Sequence, residues 1–200
     1  LTANQASWVD PIGIHVFGRD AWTVPPNSQG YLTLAAAWLF EQLEVRADPL
    51  DPAYHHALIE AYRAVAWERD DLVADPATAP LDPDRLLDPE RLIGRLQRMS
   101  PDAPARWPGS TPAPGGTAYL CCRDEDGLCV SLIQSNFLGI GSGVGAGATG
   151  VFLHNRGAGF TLEPGHRNYL APVRRPLHTL SPTLWTDAGT LRILLGTRGG

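Results

Sequence analysis

The chain has 200 residues, with 16 basic against 21 acidic side chains and a formal charge of -5. Every basic residue is Arg, and these are scattered among Asp and Glu, which excludes a nucleic-acid partner held through a basic face. The longest apolar stretch, residues 32–40, is far below the ~20 residues needed to span a bilayer, so no membrane segment is expected in this chain.

In chain order, short β-type runs at 14–17 and 22–24 close on Pro25-Pro26-Asn27. Ser28 is then placed to cap a helix reaching about Arg46, with Leu32, Ala35, Ala36, Leu39 and Leu43 as its apolar stripe. Asp51-Pro52 is a second start signal, an acidic cap with Pro at the first helical position. Tyr54, Leu58, Ala61, Tyr62, Val65 and Leu72 recur at helical spacing down to about Ala74. Asp88-Pro89 repeats the device ahead of Leu92, Ile93, Leu96 and Met99, so residues 28–99 read as three helices. His55 and His56 point to different faces of the second helix and read as solvated surface, not as paired metal ligands. No metal or organic cofactor is expected.

Residues 100–116 hold five prolines and three glycines in seventeen residues without periodicity, which predicts an exposed connection lacking regular structure. It ends at Gly115-Gly116-Thr117. From there the pattern is β: a strand over 117–123, an Asp-Gly turn at Asp126-Gly127, and a returning strand over 128–135. Further strands are predicted at 151–153, 182–185 and 191–195. Helices first and an antiparallel β region second predict a layered α+β fold. The chain opens at Leu1 without an initiator Met and closes on Gly199-Gly200 after an apolar run, which predicts a piece of a larger protein. No signal peptide stands at Leu1, and a fragment would have lost one. The compartment therefore stays open, with the cytoplasm weighted slightly above periplasm or secretion.

Two other motifs are weighed and set aside. Cys121, Cys122 and Cys129 are odd in number and clustered, so they read as small hydrophobes on paired strands, not as a disulfide framework. Gly145-x-Gly147-x-x-Gly150 has the spacing of a dinucleotide fingerprint. It leads into a predicted strand instead of opening a helix, and no acidic residue follows about 20 positions on.

The Gly116–Thr117 junction carries the chemistry. A hydroxyl nucleophile needs a base within hydrogen-bond reach. A threonine at a chain N-terminus supplies its own, because a free α-amine has a pKa near ~7.7–8.0. Such an enzyme is made as a precursor and cut immediately before the Thr. A Pro/Gly-rich segment upstream, the small Gly116 at the cut and a strand downstream suit that event.

The run after Thr117 resembles the γ-glutamyltransferase family of N-terminal nucleophile hydrolases. The residues that carry the resemblance are Thr117, Asp126-Gly127, Val130-Ser131-Leu132-Ile133-Gln134-Ser135, Gly139-Ile140-Gly141-Ser142-Gly143, His154-Asn155, Arg175-Pro176-Leu177-His178-Thr179 and Gly199-Gly200. Upstream, Pro25-Pro26-Asn27-Ser28-Gln29-Gly30 resembles the family's large subunit. The resemblance implies an αββα sandwich, here partial. Residues 1–116 would be the C-terminal part of the large subunit, and 117–200 the N-terminal part of the small one. It implies Gly116 and Thr117 as the processing junction, Thr117 as nucleophile, Ser135 orienting it, and Gly199 and Gly200 donating backbone N–H groups to the oxyanion. His178 and Thr179 stand where the family has paired serines near the substrate. Arg156 and Gly159 replace a Gln and an Asp, the latter gripping the substrate's α-ammonium. Arg156 suits an acyl chain ending in carboxylate, as in the acylase-like branch, unless it pairs structurally with Glu163 or Asp126. The implied activity is hydrolysis or transfer of γ-glutamyl (glutathione-type) or related dicarboxylic monoacyl amides. A non-catalytic family member acting as a binding partner and a cephalosporin or glutaryl acylase stay open beside it. The implied partners are the small amide substrate and the remaining segments of the protein's own two subunits; a homo-oligomer is left open. Residues 1–200 alone are not expected to turn over substrate.

Overall fold

The computed structural model describes residues 7–108 and 117–197. Gly116, Gly199 and Gly200 therefore lie outside the described residues. Strands β1 (Ile12–Val16) and β2 (Arg19–Thr23) form a hairpin. Its turn, Phe17-Gly18, has positive φ at both residues, the primed geometry that matches strand twist. Helix α1 (Tyr31–Gln42) follows and buries Tyr31, Leu32, Leu34, Ala35, Ala36 and Leu39. Ser28 does not cap it. Gly30 occupies the cap without a side-chain bond, while the Ser28 hydroxyl donates to the Leu180 carbonyl at 2.5 Å. A parallel bridge between Ser28 and His178 draws that hydroxyl away from the helix.

Helix α2 (Pro52–Ala66) is capped as expected, Asp51 accepting from the Ala53 N–H at 2.9 Å. It stops short of the predicted Ala74; a separate turn, α3 (Arg69–Leu72), follows. The buried stripe is also rotated. Ala57, Glu60, Ala61, Ala64 and Val65 face inward, while Leu58 and Tyr62 are exposed. Small residues there let α2 approach α1 closely, and Glu60 finds polar partners inside. A 3-10 turn (Asp84–Leu87) leads to α4 (Pro89–Leu96), capped by Asp88 through the Glu90 N–H at 2.9 Å. Buried Glu68 accepts from Arg91 and Arg95, tying α3 to α4. Residues 101–108 have no regular structure, as predicted, but they are held against α2.

Strands β3 (Thr117–Arg123) and β4 (Cys129–Ser135) form the predicted hairpin, with Thr117 opposite Ser135. The cysteines lie on these strands as free thiols, with Cys121 and Cys122 exposed. The strand expected at 151–153 reduces to a single bridge between Gly145 and Phe152, because the glycine run folds as turns instead. Strands β5 (Ser181–Asp187) and β6 (Thr190–Thr197) complete an antiparallel sheet of order β1-β2-β5-β6.

One face of this sheet, through Ala21, Thr23, Thr183 and Trp185, packs under α1. The opposite face receives the β3–β4 hairpin. Tyr119 lies so close over Gly196 that a Cβ at 196 would meet its ring at 2.3 Å. The described layers are therefore helices, four-stranded sheet and hairpin. Thr117, two residues before Tyr119, shares that face of β3 and points between the sheets.

Candidate active site

Thr117 begins β3 at the mouth of a cavity of about 320 Å³. Its hydroxyl donates to the Ser135 hydroxyl at 3.1 Å, the contact that the cross-strand register dictates. Ser135 Oγ also accepts from the Phe137 N–H at 3.0 Å. That second bond fixes the turn in which Phe137 takes a positive φ of 74°. One hydroxyl thus orients both the candidate nucleophile and the Phe137 ring, which forms part of the cavity wall.

The Arg156 guanidinium lies 5.0 Å from the centroid of that ring, a cation–π contact. Its Nη1 donates to Thr179 Oγ1 at 3.3 Å, and Thr179 also lines the cavity. Arg156 is buried, and its Nη2 has no hydrogen-bond acceptor among the described residues. Among those residues neither Glu163 nor Asp126 forms an ion pair with it. Burial pulls the guanidinium pKa below its usual value. A charged donor buried without an acceptor costs about 1–3 kcal/mol or more. The site therefore holds a cation one residue behind the cavity wall with hydrogen-bonding capacity to spare.

Asn168 fixes the far wall. Its Nδ2 donates to the Gly159 carbonyl at 2.5 Å and its Oδ1 accepts from the Leu177 N–H at 3.1 Å. Gly159, Leu177 and Asn168 all line the cavity, with Arg69, Asp70 and His166 also contributing. Nothing in the sequence marked Asn168, Arg69, Asp70, His166 or Phe137 as part of the site. Asn168 carries no periodic or motif signal, since its partners are nine residues away on either side in irregular chain. Asn155, on the strand-like motif, instead pins the glycine turns: Oδ1 accepts from Leu138 N–H at 2.9 Å, and Nδ2 donates to the Leu138 and Gly141 carbonyls at 3.1 Å.

His178 is not brought into this cavity. It lines a neighbouring one with Asn27, Ser28, Ser131 and Arg175, and its backbone bonds to Asn27 and Gln29. Burial, with Arg156 and His154 nearby, lowers its pKa from 6.5 to about 4. Below pH 6.5 the unfolded chain takes up a proton that the folded chain refuses until about pH 4. Stability is therefore complete above this window and falls as pH drops through it. Thermal unfolding midpoints of the full-length protein should fall between pH 7 and pH 4.5, and His178→Asn should flatten that slope. An unchanged slope would remove His178 from the acid response.

A family profile described as gamma-glutamyltranspeptidase matches residues 1–200. The chain belongs to this family. Its members are hydrolases and transferases of the N-terminal nucleophile type. The chain is 36% identical over 202 residues to the glutathione hydrolase-like YwrD proenzyme of Bacillus subtilis, covering 99% of this chain and 38% of that protein. It is 34% identical over 200 residues to the oxamate amidohydrolase proenzyme of Klebsiella pneumoniae, covering 100% of this chain and 38% of that protein. Among solved structures it matches cephalosporin acylase from Bacillus halodurans at a TM-score of 0.82 and 32% identity, covering 94% of this chain and 34% of that one. The chain thus spans well under half the length of these relatives. Its fold is α+β and of the N-terminal nucleophile hydrolase type, present in part. No helix among the described residues is long and apolar enough to cross a membrane.

Proposed function

We propose that the whole protein is an amide hydrolase, cut between Gly116 and Thr117, that prefers acyl groups ending in a carboxylate. The observation that carries this reading is the pairing of Thr117 with Ser135 beside a cavity backed by the unsatisfied Arg156 guanidinium. A carboxylate reaching past Thr179 would supply the missing acceptor. Two relatives agree with such chemistry. Oxamate is itself the monoamide of a dicarboxylic acid, and one of the matched solved structures is a cephalosporin acylase.

In the precursor, Thr117 Oγ1 adds to the Gly116 carbonyl carbon, the C–N bond breaks and the acyl group passes from nitrogen to oxygen. Water then hydrolyses that ester, leaving a carboxylate on Gly116 and a free amine on Thr117. During turnover the amine accepts the hydroxyl proton, Oγ1 attacks the substrate amide, and the leaving amine takes the proton. Water releases the acyl group as a carboxylate. Gly199 and Gly200 are the oxyanion donors in this scheme; losing one such donor costs roughly 2.7–4 kcal/mol. Ser135 holds the attacking oxygen in place. The remaining segments of the two subunits cover the apolar sheet surface around Trp22, Leu184 and Leu194.

Glutaryl and γ-glutamyl anilides, assayed with processed full-length enzyme, test the substrate class. Glutaryl hydrolysis should be the faster. A strong preference for γ-glutamyl would overturn the assignment of Arg156.

A further inference from the structure

Outside the active cavity, the most costly buried charge on α2 is used to hold the connection that leads to Thr117. Glu60 is only 2% exposed. A carboxylate at that depth is tolerated only when its lone pairs are filled. Arg63 Nη1 donates to Oε1 at 2.5 Å. The other two bonds come from the connection itself: the Ala105 N–H reaches Oε2 at 2.8 Å, and the Trp107 indole N–H reaches it at 3.4 Å. Arg63 Nη2 returns to the Ala105 carbonyl at 3.4 Å, so both backbone groups of Ala105 are engaged. On the far side, Arg98 stacks 4.3 Å over the Trp107 ring and donates to the Arg106 carbonyl at 3.1 Å.

We propose that Glu60 is a positioning residue for the cleavage before Thr117: it clamps residues 105–107 to α2 and fixes the point from which the chain sets out toward the junction. The proposal rests on the functional reading above. Without the clamp, the span from the end of the helical region to Thr117 is the seventeen residues 100–116; with it, nine residues separate Trp107 from Thr117. Gly116 and Thr117 are adjacent in the chain, so the clamp bears on how their peptide bond is oriented toward Oγ1 and not on whether the two groups meet. Glu60 itself touches neither the cavity nor Thr117 among the described contacts.

The test follows maturation of the full-length precursor by intact mass. Glu60→Gln weakens the acceptor, Trp107→Phe removes the indole donor, and Ala105→Pro removes the backbone donor without altering the core. All three should cleave at least about threefold more slowly than wild type, while the matured product keeps wild-type kcat and KM. If Glu60→Gln fails to fold, the other two variants decide. Maturation at the wild-type rate overturns the clamp. So does slower maturation accompanied by an equal loss in mature kcat and unfolding midpoint, which marks a general packing role. If wild type itself is never cut before Thr117, the functional reading has failed first; if it is cut and the variants match it, only the clamp has.

Discussion

Replacing Thr117 with Ala should leave the full-length protein as one uncut chain with no measurable amidase turnover, a loss on the order of 10⁴–10⁶ in kcat. One oxygen serves both events. It attacks the upstream carbonyl during maturation and the substrate carbonyl afterwards, and no other hydroxyl in the cavity has the same two partners. Ser135 lies within hydrogen-bond distance of Thr117, but it sits mid-chain at the end of β4 and has no α-amine to act as its base. Thr117→Ser keeps the oxygen while removing the methyl that restricts χ1, so it should mature and turn over more slowly, not stop. Intact mass spectrometry separates the outcomes. Wild type should give two pieces that meet before Thr117, and Thr117→Ala one piece. A continuous wild-type chain with full activity would show that the base lies elsewhere.

The elements that sequence made legible are those whose partners are close along the chain. Asp51-Pro52 and Asp88-Pro89 cap their helices through amides two residues on, and the Asp-Gly step sets the β3–β4 register that places Thr117 opposite Ser135. What sequence hid depends on distant partners. Ser28 has a capping hydroxyl by type, yet it bonds to a carbonyl 152 residues away. Helical periodicity turned Leu58 and Tyr62 inward, whereas the helix buries Glu60, whose compensation comes from a backbone amide 45 residues later and an indole N–H 47 residues later. At the site, Arg156 was visible as a departure from the family pattern. Its Nη2, without an acceptor among the described residues, was not, because that depends on which carboxylates come near it in three dimensions. Phe137 gave no signal at all: its role comes from a positive φ fixed by the Ser135 hydroxyl.

Exchanging the two departures should move the enzyme from acyl chains that end in a carboxylate alone toward γ-glutamyl groups, whose end carries an α-ammonium as well, and only in combination. Arg156→Gln removes the cation behind Thr179. Charge-assisted hydrogen bonds contribute about 1.5–3 kcal/mol each, so kcat/KM for a glutaryl amide should fall roughly 10- to 150-fold. Gly159→Asp is sterically admissible. The position has an ordinary negative-φ backbone, and a Cβ there would stand 3.4 Å from the Leu177 carbonyl and 3.6 Å from Pro176 Cβ. Alone, the new carboxylate would meet Arg156 before any substrate ammonium does. It should reduce glutaryl hydrolysis and add little γ-glutamyl activity. In the double variant the guanidinium is gone and the carboxylate is free to bind an α-ammonium, so γ-glutamyl turnover should rise by more than the single changes predict. The ratio of kcat/KM for the two anilides measures this directly. If Arg156→Gln leaves that ratio where wild type has it, the buried guanidinium does not read the acyl chain, and its burial serves only the packing of Phe137 and Thr179.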